Sequence, residues 1–149
     1  MALKKLSSAA IIAIALAGAI LTVTTLAALS VSQNLNSSVT VSAINLAIYS
    51  DSACTVPLTS INWGTLSLGS NNPTTIYIKN TGTMPETLTM TTGSWSPANG
   101  NSYLTLTWNA ENTVLAVGTS TAAVLTLTVA SETGALNSFT FVITVTGTQ

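Results

Sequence analysis

The chain has 149 residues with only three Lys or Arg, four Asp or Glu, and no His. Nucleic-acid binding needs clustered Lys and Arg that displace counterions from phosphates, so this charge balance excludes it. Without His the chain also lacks Ser–His or Cys–His nucleophilic pairs and zinc sites of the Cys/His type.

The first 30 residues form a hydrophobic segment. Lys4 and Lys5 precede an apolar run from Ala9 to Leu29, and small residues at Ala28 and Ser30 offer a cleavage site after Ser30 or after Ala28. This layout is typical of a secretory signal peptide. The run is also about 20 residues long, enough for a membrane helix. In either case the rest of the chain is exported to the cell surface or beyond, and it meets a membrane only during export or if the helix is retained.

The stretch "SSVTVSAINLAIYS", residues 37–50, alternates apolar and polar residues but changes phase in the middle. Val39 and Val41 are apolar at odd positions, whereas Ile44, Leu46 and Ile48 are apolar at even positions. Neighbouring side chains of a strand point to opposite faces, so one flat strand cannot bury both sets. Either the two halves belong to different sheets, of one molecule or of two, or one long strand contains a β-bulge.

From Val39 onward the apolar period is two, and Thr is the usual residue on the opposite face. Turn residues (Gly, Asn and Pro) separate about seven short apolar runs, and no amphipathic helix follows residue 30. The pattern predicts an all-β fold, an immunoglobulin-like or jelly-roll-like antiparallel β-sandwich preceded by the N-terminal hydrophobic helix. Trp63, Trp95 and Trp108 are interpreted as core or loop anchors, with a sugar-binding platform as the alternative.

Little enzymatic chemistry is available to this chain. Glycoside hydrolysis needs two carboxylates about 5–10 Å apart, and the four acids fall on scattered predicted turns. We therefore predict no enzyme activity, no catalytic residue, no cofactor and no metal site. Asp51 is expected to cap a turn rather than to bind calcium. Asn36 begins the sequence Asn36-Ser37-Ser38, which is a possible glycosylation acceptor.

Several motifs carry a resemblance to a family of secreted proteins. They are a first strand, the Trp63-Gly64 turn, the sequence "KNTG" at residues 79–82 after a strand, and a last strand of alternating Phe, Ile and Thr. Over about residues 39–147 the chain resembles the TasA/camelysin-type biofilm fibre proteins of bacteria and the bundling-pilus and thread filament subunits of archaea.

The resemblance implies donor-strand exchange, in which the N-terminal arm of one subunit completes a sheet of its neighbour. Residues 1–30 would then be the signal peptide or membrane helix, residues 31–42 the donor-strand arm, and residues 43–149 the sandwich domain. The donor residues that enter the neighbour's groove would be Val31, Leu35, Val39 and Val41. Ile44, Leu46 and Ile48 would enter the subunit's own core, and Asn36 would point outward.

The expected function is a structural subunit of an extracellular filament, a homopolymer for adhesion, bundling or matrix scaffolding. Two alternatives stay open. A retained N-terminal helix could drive polymerisation as in type IV pilins, or it could tether a monomeric sandwich that binds a surface partner.

The mature N-terminus separates these alternatives. We expect intact-mass spectrometry of the exported protein to show a start at Val31, since removal of the apolar segment frees the arm. A start near Ser7 or Ala9 would favour the pilin-like alternative. An unprocessed chain that needs detergent would favour the tethered module.

Overall fold

The computed structural model describes residues 45–133 and 138–149 in full and residues 33–41 through their backbone. The described residues form nine β-strands and one 3₁₀ turn at Gly100–Ser102. The strands are β1 (Gln33–Val41), β2 (Leu46–Tyr49), β3 (Ser60–Leu66), β4 (Asn71–Asn80), β5 (Glu86–Ser96), β6 (Leu104–Trp108), β7 (Val114–Leu115), β8 (Ser120–Val129) and β9 (Ser138–Thr148). The all-β class predicted from the period of two is confirmed for this part of the chain. The predicted helix at residues 1–30 lies outside it, and no described helix is long and apolar enough to span a membrane.

The strands make two sheets. One has five strands in the order β3-β1-β9-β5-β7, and the other has four in the order β2-β4-β8-β6. Strand pairs in both sheets are antiparallel, with the pair β1–β9 as the exception among the described pairs. Two antiparallel sheets, the coarser part of the fold prediction, are therefore confirmed.

The core lies between the two sheets. Alternate residues of β4 and β8 in one sheet and of β9 in the other are buried, and they join one apolar cluster. The most completely buried rows are Ile76 and Ile78, then Ala123, Leu125, Leu127 and Val129, then Phe139, Phe141, Ile143 and Val145, none of them more than 1 % exposed. The Thr residues between them face outward because side chains alternate along a strand.

The three tryptophans support this core, as the sequence predicts. Trp63 is 9 % exposed, and Trp95 stacks on Phe141 with ring centroids 4.2 Å apart and ring planes 15° from parallel. Trp108 is half-buried, and its indole N–H donates to the Glu111 carboxylate at 2.6 Å. Each indole thus has a structural contact.

The change of phase near Ala43 coincides with a change of sheet. β1 belongs to the five-stranded sheet and β2 to the four-stranded sheet, so the alternative of one long bulged strand is wrong. Leu46 and Ile48 are buried in the chain's own core, at 8 % and 4 % exposure. Ile44, predicted to join them, lies outside the described residues.

The central row of β9 gives a direct test of this core. We expect Ile143→Ala to lower the free energy of unfolding by about 2–5 kcal/mol, because it leaves a cavity between the sheets. Thr91→Ala, on the exposed face of the neighbouring β5, should change it by less than about 0.5 kcal/mol. Urea unfolding followed by tryptophan fluorescence measures both. Equal effects of the two substitutions would contradict the assignment of faces.

Candidate functional site

The most informative feature of the fold is the space between β3 and β9, which we call the slot. β1 fills it. β1 runs antiparallel to β3, from the pair Gln33–Leu66 to the pair Ser38–Ser60. It runs parallel to β9, from the pair Asn34–Ser138 to the pair Val41–Val145. β1 is thus an interior strand of its sheet and, among the described strands, the one that joins β3 to the rest of that sheet.

The register places the odd positions of β1 beside the core row of β9. Leu35 is level with Phe139, Val39 with Ile143 and Val41 with Val145. All three β9 partners are almost completely buried. The assignment of Leu35, Val39 and Val41 to an inward row is compatible with this register, but it stays a prediction because their side chains are not described. Val31 lies outside the described residues.

The even positions of β1 are level with outward residues. Asn36 pairs in register with Asn62 of β3 and Thr140 of β9, and both of these side chains are exposed. The predicted glycosylation acceptor therefore occupies a position on the outer face of the five-stranded sheet. A glycan on that face would not block the pairing of β1 within the slot.

The β3 wall of the slot contains a bulge at Trp63-Gly64, where the sequence predicts a turn. Leu35 pairs with Gly64, whereas Asn36 pairs with Asn62, so Trp63 is an extra residue on β3. Gly64 has a φ of +66°, which suits glycine, and its N–H donates to the Asn62 side-chain oxygen at 2.8 Å. The predicted Trp63-Gly64 turn is therefore wrong. The bulge changes the phase of β3 between two buried residues, Trp63 and Leu66.

Asn80, in the "KNTG" sequence, is a buried polar hub at one end of the sandwich. Its side-chain N–H groups donate to the carbonyls of Met84 at 2.7 Å and Leu115 at 3.0 Å. Its side-chain oxygen accepts from the Gly82 N–H at 2.8 Å. One completely buried amide thus fixes the end of β4 to the loop before β5 and to β7.

Thr81 and Gly82 pin the chain just before β2. The backbone N–H and the hydroxyl of Thr81 both donate to the Asn45 carbonyl, at 2.7 and 2.9 Å. A Cβ at Gly82 would lie 2.5 Å from the Asn45 Cβ, so a larger residue does not fit there. Asn45 itself has a φ of +100°, in a region that Asn tolerates better than most residues. Residues 42–44 are therefore the whole connection between β1 and Asn45, which these contacts hold in place.

Asp51 lies in the loop after β2, where its carboxylate accepts several hydrogen bonds. Both Asp51 oxygens accept from the Thr55 N–H, at 3.0 and 3.1 Å, and the Val56 N–H and Thr55 hydroxyl add bonds of 2.7 and 2.8 Å. The bond from Val56, followed by that from the Thr55 hydroxyl, lowers the pKa of Asp51. The carboxylate thus caps a loop. The stabilisation that its ionised form gives to the folded state is lost as the pH falls through that lowered pKa.

Glu86 departs from the prediction that the acids lie on scattered turns. It is the first residue of β5 and is 4 % exposed, beside Gly147 and within 3.4 Å of the Gln149 amide. A polar residue at the start of a predicted strand does not indicate from the sequence alone that its side chain is buried. In residues 45–133 and 138–149 no group of three His, Cys, Asp or Glu side chains is close enough to hold a metal ion.

Comparisons with protein-family models, with curated proteins and with solved structures found no match to this chain. Its function therefore has to be inferred from the slot and from the short connection between β1 and Asn45.

Asn80 supports this end of the sandwich, and substitution tests its role. We expect Asn80→Ala to lower the free energy of unfolding by about 2–4 kcal/mol, because it leaves the Met84 and Leu115 carbonyls without their side-chain donor. Asn101→Ala, at an exposed position of the 3₁₀ turn, is the control and should cost less than about 0.5 kcal/mol. Thermal unfolding by circular dichroism measures both. Equal stability of the two variants would show that the hub is dispensable.

Proposed function

We propose that the chain is a structural subunit of an extracellular filament, built by donor-strand complementation. The arm that contains β1 leaves its own slot and fills the slot of a neighbouring subunit, and the domain is an immunoglobulin-like sandwich that receives it. The filament serves adhesion, bundling or matrix scaffolding and performs no chemical turnover. The observation that carries this proposal is an interior strand attached to its domain by three residues.

An interior strand is well suited to exchange between identical molecules. β1 makes ladder hydrogen bonds on both sides, to β3 and to β9. A second copy of the chain offers the same strand and the same slot, so its arm can make the same contacts. Exchange of identical elements is a low-cost route to association, and strand addition is a common form of recognition.

An empty slot would be an aggregation hazard. Removal of β1 would uncover one side of the buried rows of β9, including Phe141 and Ile143, and of β3, including Ile61. It would also leave unpaired backbone groups along β9 and along β3. Proteins cover or pair such edges, so either the chain's own arm or a neighbour's arm has to occupy this slot.

Charge offers little resistance to association. Beyond residue 30 the chain has one lysine, Lys79, and four acids. Such a surface provides weak repulsion between copies. Because each subunit gives an arm and receives another, the contact is heterologous, and it extends into a filament when no ring closes.

A matched pair of charge substitutions tests the arm. Val39→Asp puts a carboxylate level with buried Ile143, whereas Thr40→Asp puts it level with half-buried Thr144 on the other face. A buried unpaired charge costs several kcal/mol, so we expect Val39→Asp to reduce the filament yield by roughly tenfold or more. Thr40→Asp should form filaments at the wild-type yield. Electron microscopy of the processed proteins measures both.

The same variant provides a check against simple misfolding. Val39→Asp subunits keep an intact slot, so they can accept a wild-type arm without donating one. We expect them to shorten growing wild-type filaments, and Thr40→Asp subunits to leave the length unchanged. Filaments of normal yield from Val39→Asp alone would contradict the proposal, and they are the result expected if a retained helix drives polymerisation as in type IV pilins. Identical behaviour of Val39→Asp and the wild type as tethered monomers would contradict it as well.

A further inference from the structure

The direction of β1 limits how an exchanged arm can be arranged. We call the end of the sandwich near Asn45, Asn80 and Val145 the root end, and the end near Leu66 and Ser138 the far end. A Cβ on Gly147 of β9 would lie 3.0 Å from Leu46 of β2, so the end of β9 and the start of β2 share the root end. β1 enters its slot at the far end and reaches the root end at Val41.

The connection is too short for the same arrangement in a head-to-tail stack. Four Cα-to-Cα steps join Val41 to the pinned Asn45, and they span at most about 14 Å. In the parallel register, Val41 has to sit beside Val145 of the acceptor. In a head-to-tail stack, the acceptor's far end lies against the donor's root end. The acceptor's Val145 is then farther from the donor than its Ser138 by the length of seven residues of β9, about 23 Å at about 3.3 Å per residue. The arm does not reach that position.

We propose that in the filament the arm enters the acceptor in the opposite direction, antiparallel to β9 and parallel to β3. The parallel insertion of β1 into its own slot is then a self-capped state of the single subunit, which has to open before assembly. This inference rests on the proposed function. It adds the direction in which the exchanged arm lies, and it identifies the subunit's own arm as the segment that competes with it for the slot. The donor's root end meets the acceptor's far end. Val41 then lies at the entrance of the slot, and the N-terminal part of the arm extends toward the acceptor's root end.

Reversal preserves the chemistry of the slot because a period of two reads the same in both directions. In one such register Val41 lies beside Phe139, Val39 beside Phe141 and Leu35 beside Val145. The odd positions of the arm again meet the buried row of β9. The number of parallel pairs is also unchanged, since β3 takes the parallel pairing that β9 loses. The outward positions still carry Asn34, Asn36, Ser38 and Thr40.

Disulfide cross-links distinguish the two directions. In a Cys54→Ser background, Thr40→Cys with Thr144→Cys reports the parallel register, in which these positions are paired. Thr40→Cys with Thr140→Cys reports the reversed register, with Thr140 near the far end. We expect the first pair to close within single subunits and, while oxidised, to prevent polymerisation. Reduction should restore the wild-type yield.

We expect the second pair to cross-link neighbouring subunits of assembled filaments, seen as a ladder of covalent oligomers on a non-reducing gel. A ladder from the first pair, or covalent dimers that do not extend, would show parallel exchange and overturn this inference while leaving strand exchange intact. Polymerisation of the oxidised first pair at the wild-type yield would overturn the self-capped state. If the wild-type processed chain forms no polymer, the proposed function fails, and this inference fails with it.

Discussion

The structure depends on the filling of one strand position. Among the described strands, β3 pairs with β1 alone, and β1 also pairs with β9. β9 contributes a row of almost completely buried residues to the core. If that position is empty, β3 loses its sheet and apolar side chains of β9 meet water. The physical requirement is a strand of suitable pattern at this position. It does not specify which molecule provides the strand.

The contacts around Asn45 limit how far β1 can move from its own domain. Thr81 and Gly82 hold Asn45, just before β2, through hydrogen bonds and close packing. Asn80 joins the same end of β4 to β7 and to the loop before β5. The arm before Asn45 is joined by residues 42–44. A rigid acceptor with a short connection restricts the positions of the neighbour, and therefore restricts the geometry of any filament. The "KNTG" sequence at residues 79–82 thus has a structural role at this end of the sandwich.

Period-two patterns predicted the inward rows of β4, β8 and β9. The change of phase near Ala43 indicated an irregularity, but it fitted a change of sheet and a bulged strand equally well. The direction of β1 beside β9 was not predictable, because an alternating pattern is the same in both directions. Nor was the bulge at Trp63, because register depends on strands distant in sequence. β7 has two residues, too few to show a period. The burial of Asn80 and Glu86 follows from neighbours at the root end, which no local sequence pattern reveals.

In the filament that we propose, the slot of each assembled subunit holds the arm of another molecule. An electron cryomicroscopy map of the filament, at a resolution that traces the backbone, tests this most directly. We expect continuous density from Asn45 of one subunit, through residues 42–44, into the strand between β3 and β9 of its neighbour. Density that returns from Asn45 into the slot of the same subunit, in a filament held by other contacts, would contradict it.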